Sequence, residues 1–343
     1  MAIRVLTVDD SILFRTIIKN EFAKIDDIEI IDTAANATEA DEKIMRLKPD
    51  VVTMDVEMPG MNGIDFIKSF LPKKRIPFIV ITSSPTRAFD AISVGAVEFM
   101  KKPLVQNSAD MSQFCQKLAS VMRYAAKAQV KAPLPVNSNI RTAASQPALS
   151  LASSRPNAVI ALGASTGGTD ALIEVVKRLP KNSPPVVIVQ HMPAGFTKMY
   201  AERLDRICAM SCKEAEDGDR LRPGLIIVGA GEYHLRLEKD ARGYFVSSKK
   251  GEKVSGHCPS VDVLFESVAE VAGPHAVGAI LTGMGADGAE GLLKMRKSGA
   301  YTIGQNEATC VVYGMPGVAF KIGAVMKQLP LDKIAEEIIS KVK

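Results

Sequence analysis

Short apolar runs alternate with helix-period segments along most of the chain. Ile3–Val8 is a buried-strand run that ends in Asp9-Asp10. Ser11 caps a helix whose apolar positions include Ile12, Leu13, Ile17, Ile18 and Phe22. Ile28–Ala34 predicts a second strand, and Asn36 or Thr38 opens a helix through Leu47. Val51–Asp55 predicts a third strand, with the turn Met58-Pro59-Gly60-Met61-Asn62-Gly63 beyond it. Phe78–Thr82 is a fourth strand, residues 88–94 a helix stopped by Gly95, and residues 97–100 a fifth strand running into Lys101-Lys102-Pro103. A helix over residues 110–124 closes the series. Strands alternating with helices predict a parallel sheet covered on both faces.

The alternation lapses over residues 125–156. That stretch is rich in Ala, Ser and Pro, including Pro133, Pro135, Pro147 and Pro156, and has few large apolar residues after Val130. Such a composition cannot build a core and reads as a flexible linker. Beyond it the pattern resumes. An apolar run from Val159 feeds a helix over residues 169–179, and a strand over 186–189 precedes a helix over 199–207. Leu225–Val228 is a strand, residues 244–248 extend a β-edge, and Val261–Val271 is a helix. A strand over 277–281, a helix over 289–299, a strand over 301–304 and a helix from near Asp332 complete the chain. The expected fold class is α/β in two domains, residues 1–124 and 157–343, joined by 125–156. The second is a doubly wound, mostly parallel α/β domain.

Composition and charge narrow the function. The chain has 343 residues and is 47% hydrophobic, enough for two cores. No apolar run approaches the roughly 18 residues of a membrane span, so no direct membrane insertion is expected. The early acidic pair Asp9-Asp10 argues against a signal peptide. Five scattered cysteines suit reduced thiols in a cytoplasmic protein better than a disulfide framework. Cys208 and Cys212 share one face if their segment is helical, but without a second ligand pair no zinc site is expected. The net charge is +5, yet residues 1–124 carry −1, residues 157–343 carry +2 and the linker carries +4. The basic excess sits in the linker and not on a folded face, so no nucleic-acid partner is expected.

Candidate chemistry gathers at strand ends. Asp9, Asp10, Asp55, Thr82 and Lys102 all follow the C-terminal ends of strands, the binding edge of open α/β sheets. Carboxylates crowded there repel one another unless they share a hard cation, and oxygen ligands suit Mg²⁺. Each aspartate alone reads equally well as a loop cap. In the second half, Gly163-Ala164-Ser165-Thr166-Gly167 fits G-x-S-x-G, the strand-to-helix turn that exposes a nucleophilic serine. The competing reading makes Ser165 an N-cap. His191 and Asp287 also follow strands, so the three can converge on one edge as a Ser-His-Asp arrangement for acyl transfer. His191 alone reads as a satisfied strand-end histidine. Asp287, with Glu290 three residues on, also reads as a capping box for the helix from Ala289. His234 and His257 are rival bases, although His257 falls in a loop, and His275 follows a surface turn. The order Ser…His…Asp differs from the Ser…Asp…His of α/β-hydrolases. Gly163 to Thr169 lacks the lysine of a P-loop. Gly283-Met284-Gly285-Ala286-Asp287-Gly288 spells G-x-G-x-x-G, but Asp287 puts a carboxylate where a pyrophosphate would sit.

Two resemblances organise these residues. Residues 1 to about 124, with Asp9-Asp10, Asp55 followed by Met58-Pro59-Gly60, Thr82 and Lys102-Pro103, resemble the receiver domain of bacterial response regulators. The resemblance implies a flavodoxin-like five-stranded sheet of order 2-1-3-4-5. It implies Asp55 as the phosphorylated residue and Thr82 and Lys102 as phosphoryl contacts. It also implies Mg²⁺ held by Asp10, Asp55 and the Glu57 backbone carbonyl, with Asp9 acting through a water. A receiver joined to Gly163-Ala-Ser165-Thr-Gly-Gly, Gln190-His191-Met192-Pro193, Pro259-Ser-Val-Asp262-Val-Leu-Phe265, Leu281-Thr-Gly-Met284-Gly-Ala-Asp287-Gly, Gln305-Asn306-Glu307 and Gly314-Met315-Pro316 resembles the chemotaxis response-regulator protein-glutamate methylesterases, the CheB family.

That second resemblance implies hydrolysis of glutamyl methyl esters on chemoreceptor cytoplasmic helices to glutamate and methanol. Deamidation of receptor glutamines through the same serine acyl-enzyme accompanies it. Ser165, His191 and Asp287 would be catalytic, with backbone N–H groups of Thr166 and Met284 as the oxyanion hole. No cofactor is implied for the esterase step. The implied partners are methylated chemoreceptors and a chemotaxis histidine kinase as phosphoryl donor, in the cytoplasm. An unphosphorylated receiver covering the Ser165 edge is the expected control. The alternative is a receiver-controlled, non-catalytic receptor-binding adaptor. A receiver-controlled DNA-binding protein would need a helix-turn-helix, which the pattern does not contain.

Overall fold

In the computed structural model, which describes residues 2–103, 108–128, 149–151 and 153–343, the apolar runs of the first half form five parallel strands. They are β1 (Ile3–Val8), β2 (Ile28–Ala34), β3 (Val51–Asp55), β4 (Phe78–Thr82) and β5 (Glu98–Lys101), in the order β2-β1-β3-β4-β5. Five helices alternate with them: α1 (Ile12–Phe22), α2 (Ala37–Leu47), α3 (Gly63–Phe70), α4 (Pro85–Ser93) and α5 (Ser108–Ala125). All of β3 and β4 is buried, as a central parallel strand between two helical layers requires. Ser11 caps α1 through its hydroxyl, and Asn36 rather than Thr38 caps α2. On α1 the inward stripe is Phe14, Ile18 and Phe22. A stripe at that four-residue spacing turns Ile12 and Leu13 outward, and both are exposed. Helix α3, absent from the sequence reading, begins at the last glycine of the 58–63 turn, capped by Asn62.

Among the described residues, the second half forms nine strands and six α-helices. In chain order they are β6 (Val159–Ala164), α6 (Gly168–Val176), β7 (Val186–Gln190), α7 (Phe196–Ile207), β8 (Ser211–Glu214), β9 (Leu225–Val228), β10 (Tyr233–Asp240), β11 (Gly243–Lys250), α8 (Val261–Val271), β12 (Ala276–Ile280), α9 (Ala289–Lys297), β13 (Tyr301–Gln305), α10 (Met315–Lys321), β14 (Lys327–Leu329) and α11 (Leu331–Val342). Seven strands make one parallel sheet, β14-β13-β12-β6-β7-β9-β8. From β6 the chain winds outward through β7, then returns to β12 on the other side of β6. The crevice between β6 and β12 is therefore a topological switch point, where open α/β sheets bind ligands.

The expected β-edge at 244–248 is one arm of a separate antiparallel hairpin, β10-β11. Helix α7 stops at Ile207, so Cys208 ends that helix and Cys212 lies in β8. The two do not share a helix face, and all five cysteines are free. Chain contacts divide the molecule into two compact units, Met1–Ile140 and Arg141–Lys343. The middle of the proposed linker, residues 129–148, lies outside the described residues. Its ends are more structured than its composition suggests. Ala125 is buried in α5, and Leu151 is buried with its carbonyl accepting from Asn182 Nδ2 at 2.7 Å. Among the described residues no helix is long and apolar enough to cross a membrane.

Candidate active and phosphoacceptor sites

In the first unit the adjacency of β1 and β3 brings Asp9, Asp10 and Asp55 together. Carboxylate oxygens of the three lie within 4.8 Å of one another. Lys102, just past β5, reaches across with Nζ 2.7 Å from Asp9 Oδ2 and 2.5 Å from Asp55 Oδ2. Burial pushes the Asp9 carboxyl up to about 6, and the Asp55 charge adds to this while Lys102 works against it. Burial opposes the Lys102 charge, yet its hydrogen bonds to Asp55 and Asp9 prevail and raise its pKa. Thr82 is buried at the end of β4, and Lys102 N–H donates to its carbonyl. Glu57 N–H donates to Asp55 Oδ1 at 2.9 Å, which fixes that peptide beside the carboxylate. Gly63 lies so close that a Cβ there would stand 2.2 Å from the Asp55 carbonyl oxygen. Three hard-oxygen donors clustered together, with Lys102 as their ion-pair partner among the described residues, are a donor set that fits a divalent cation such as Mg²⁺.

In the second unit, β6 delivers Ser165 into the switch-point crevice. The turn into α6 needs glycine at Gly167, whose φ is 72°. Gly167 is itself the N-cap and no side chain caps α6, so Ser165 is not the capping residue. Its backbone is held from three directions. Ser165 N–H donates to Thr282 O at 3.0 Å across the crevice, and Ser165 O accepts from Gly168 N at 2.7 Å and Gln190 Nε2 at 2.8 Å. Thr166 is buried, and its carbonyl accepts from Thr282 Oγ1 at 3.0 Å. Gly283 passes directly beside the serine, where an added Cβ would lie 2.8 Å from Ser165 Cβ. The segment that continues into Met284 therefore runs alongside Ser165.

His191 follows β7, with its N–H bonded to Ala164 O at 3.2 Å. Its Nε2 lies 2.7 Å from Asp287 Oδ2, and its Nδ1 is buried without a partner. Asp287 does not form the expected box with Glu290, since α9 is capped by Gly288 with no side-chain bond. It caps a different helix. Val261 N–H donates to Oδ2 at 2.7 Å, and Asp262 N–H and Ser260 Oγ donate to Oδ1 at 3.1 and 2.7 Å. The carboxylate thus sits on the N-terminus of α8, where free N–H groups and the helix dipole favour negative charge. Burial opposes that charge. The His191 hydrogen bond and charge, Ser260 and Val261 N–H outweigh it and bring Asp287 down to about 2. The same commitments occupy the Gly283–Gly288 loop and leave the dinucleotide reading without a carboxylate-free cradle.

The structure adds residues to which the sequence reading gave no place in this site. Ser260, Gln190 and Asp262 hold its members. His257, one of the two rival bases and the one in a loop, stacks on His191 with ring centroids 3.7 Å apart. His234 instead bonds Glu252 O through Nε2 and accepts from Ser260 N through Nδ1.

Comparison with known proteins assigns a family to each half of the chain. Residues 160–338 match the family model described as CheB methylesterase, and residues 5–112 match the response regulator receiver domain. A protein from Syntrophomonas wolfei subsp. wolfei named protein-glutamate methylesterase/protein-glutamine glutaminase 2 is 46% identical over 342 residues, covering 98% of this chain and 96% of that protein. A Salmonella typhimurium protein named protein-glutamate methylesterase/protein-glutamine glutaminase is 41% identical over 344 residues, covering 99% and 97%. The crystal structure of the Thermotoga maritima CheB methylesterase catalytic domain aligns with a TM-score of 0.53 at 38% identity, covering 54% of this chain and 99% of that one. With the CheB methylesterase model matched over more than half of the chain, the receiver model over the part before it and relatives above 40% identity along nearly the whole of both chains, this chain belongs to the CheB methylesterase family of response-regulator hydrolases.

Proposed function

We propose that the second unit hydrolyses glutamyl methyl esters on chemoreceptor cytoplasmic helices through a Ser165 acyl-enzyme, and deamidates receptor glutamines at the same site. The observation that carries this reading is the His191–Asp287 pair, anchored on the N-terminus of α8 at the crevice that holds Ser165. Because Nε2 is bonded to Asp287, the unpartnered Nδ1 is the nitrogen left to accept a proton. The two ring nitrogens thus exchange the roles they have in the serine-protease template. Ser165 Oγ attacks the ester carbonyl and its proton passes to His191. The oxyanion is met by the N–H groups of Thr166 and Met284, which donate to no backbone carbonyl among the described residues. Collapse expels methanol, protonated by His191, or ammonia from a glutamine. Water then attacks the acyl-enzyme with His191 as base, releasing glutamate. The ionised Asp287 stabilises the imidazolium in both halves.

The first unit supplies control. Asp55 takes a phosphoryl group from a chemotaxis histidine kinase, with Thr82 and Lys102 as contacts to it. Asp10, Asp55 and the Glu57 carbonyl would hold Mg²⁺, with Asp9 contributing through a water, and the ion would supply positive charge to offset that of the phosphoryl oxygens. Lys102 already spans Asp9 and Asp55 and is placed to turn to the phosphoryl group. The reaction on receptor cytoplasmic helices places the protein in the cytoplasm. No role for nucleic acid or for membrane insertion enters this reading.

The test is methanol release from methylated receptor membranes by wild type, Ser165→Ala and Asp287→Asn. Loss on the order of 10⁶-fold is expected for Ser165→Ala, and about 10⁴-fold for Asp287→Asn, which upsets the tautomer. Wild-type-like release by Ser165→Ala removes the proposal.

A further inference from the structure

One ring in the crevice has no part in the steps above. His257 lies parallel to His191, with 6° between the planes and 3.7 Å between centroids. The loop that carries it is built to hold it there. Val254 and His257 exchange backbone hydrogen bonds of 3.0 and 2.9 Å around Ser255 and Gly256, whose φ angles are 52° and 82°. Two successive positive φ values make a turn of the I′ kind, which favours Asn or Gly and in which a serine is strained. Ser255 Oγ donates to Asp262 Oδ2 at 3.3 Å and ties the turn to α8. On the other side, His234 Nε2 donates to Glu252 O at 2.7 Å while its Nδ1 accepts from Ser260 N. Asp262 and Ser260 are themselves donors to Asp287 Oδ1. Both anchors of the loop therefore end on the partners of the carboxylate that holds His191.

We infer that His257 is a positioning residue for His191, fixing the plane of its ring and covering one face of the imidazolium that forms during acyl transfer. The inference rests on reading Ser165, His191 and Asp287 as the acyl-transfer centre. The Asp287 bond restrains one ring atom, whereas rotation about Cβ–Cγ of a histidine is a soft torsion with broad wells. A parallel ring at van der Waals distance removes that freedom and keeps Nδ1 aimed. It also sets a π face against the positive charge, an interaction worth more when water is excluded. Only chemistry depends on this plane, so the loss of the ring acts on kcat and leaves KM alone.

The experiment is steady-state methanol release by the full chain from methylated receptor membranes, comparing wild type, His257→Ala, His257→Phe and Ser165→Ala. His257→Ala is expected to lower kcat about 10- to 100-fold with KM within about twofold, the signature of misplaced catalytic geometry. His257→Phe, which restores a flat ring, is expected to recover most of kcat. If His257→Ala does not fold, His257→Phe alone decides: near-wild-type kcat supports the inference and a loss overturns it. A wild-type kcat in His257→Ala, a change in KM instead, or no rescue by Phe overturns the inference while an inactive Ser165→Ala leaves the acyl-transfer reading standing. An active Ser165→Ala overturns both.

Discussion

Two aspartates at the start of α8 face opposite ways in energy. Asp287 gathers Ser260 Oγ, two helix N–H groups and His191, and is held ionised. Asp262 has the Gly291 N–H at 2.8 Å and the Ser255 hydroxyl, but burial, and beyond it the charge of Asp287, pushes its carboxyl from 3.8 up to about 6. A carboxyl whose pKa is higher folded than unfolded binds a proton preferentially in the native state. Its contribution to stability therefore falls as pH rises from about 4 to about 6 and is flat above. Asp262→Asn removes the charge and keeps an oxygen for Gly291 N–H. The expected outcome is a variant that lacks this fall and gains up to roughly 3 kcal/mol above pH 6 relative to wild type. Unfolding followed at pH 4, 5, 6 and 7.5 checks it, and parallel curves for variant and wild type across that range count against it. The Asp287 capping role was not legible in the sequence for a simple reason. Glu290 is a local partner that a pattern can see, whereas the helix Asp287 caps starts 25 or so residues upstream and meets it only after the sheet has formed. His257 was opaque for the same reason, since its value lies in what its turn lays it against.

At the level of elements, the seat of α8 decides whether Asp287 has its donors. Val261, the first residue of α8, fits between two glycines. A Cβ on Gly163 would stand 2.2 Å from Val261 Cγ1, and one on Gly288 2.4 Å from the same atom. The first glycine of the G-x-S-x-G pattern, itself inside β6, thus admits the neighbouring helix, while the turn conformation falls to Gly167. Gly163→Ala is expected to destabilise the second unit by about 1–3 kcal/mol through overpacking, with a fall in ester hydrolysis as α8 shifts. Val261→Ala in the same chain relieves the clash, so the double variant is expected to be more stable than the sum of the singles predicts. Urea unfolding of the four species measures it, and strictly additive changes rule out this seating. Long apolar strands and strongly periodic helices were plain in the sequence, as β6, β12 and α8 illustrate. Strands β8 and β14 were not, because both are short edge strands, Ser-Cys-Lys-Glu and Lys-Gln-Leu, with little apolar signal. In β10 a signal does exist: Leu235 and Leu237 are buried and alternate with Arg236 and Glu238. Helix α10 is short and opens on Met315-Pro316-Gly317, which reads as a breaker although proline is at home in a first turn.

At the scale of the whole chain, each half closes its own core around its own sheet, so each is expected to fold without the other. Where the second half begins is a structural matter that composition misplaces. Leu151 is buried, and Arg155 N–H donates to Val342 O at 2.7 Å, joining the end of the linker to the end of α11. A fragment of residues 149–343 keeps these contacts and one of 157–343 lacks them. The shorter fragment is expected to be less stable by about 2–4 kcal/mol, from one buried leucine and two hydrogen bonds. The longer fragment is the one to use for regulation. If unphosphorylated residues 1–124 restrain the hydrolase, residues 149–343 release methanol from methylated receptor membranes faster than the unphosphorylated full chain. Phosphorylation then raises the rate of the full chain toward that of the fragment, and Asp55→Asn abolishes the rise while leaving the fragment's rate as the ceiling. A fragment no faster than the unphosphorylated chain, with its fold intact by melting, means that phosphorylation acts by adding activity and not by lifting a restraint.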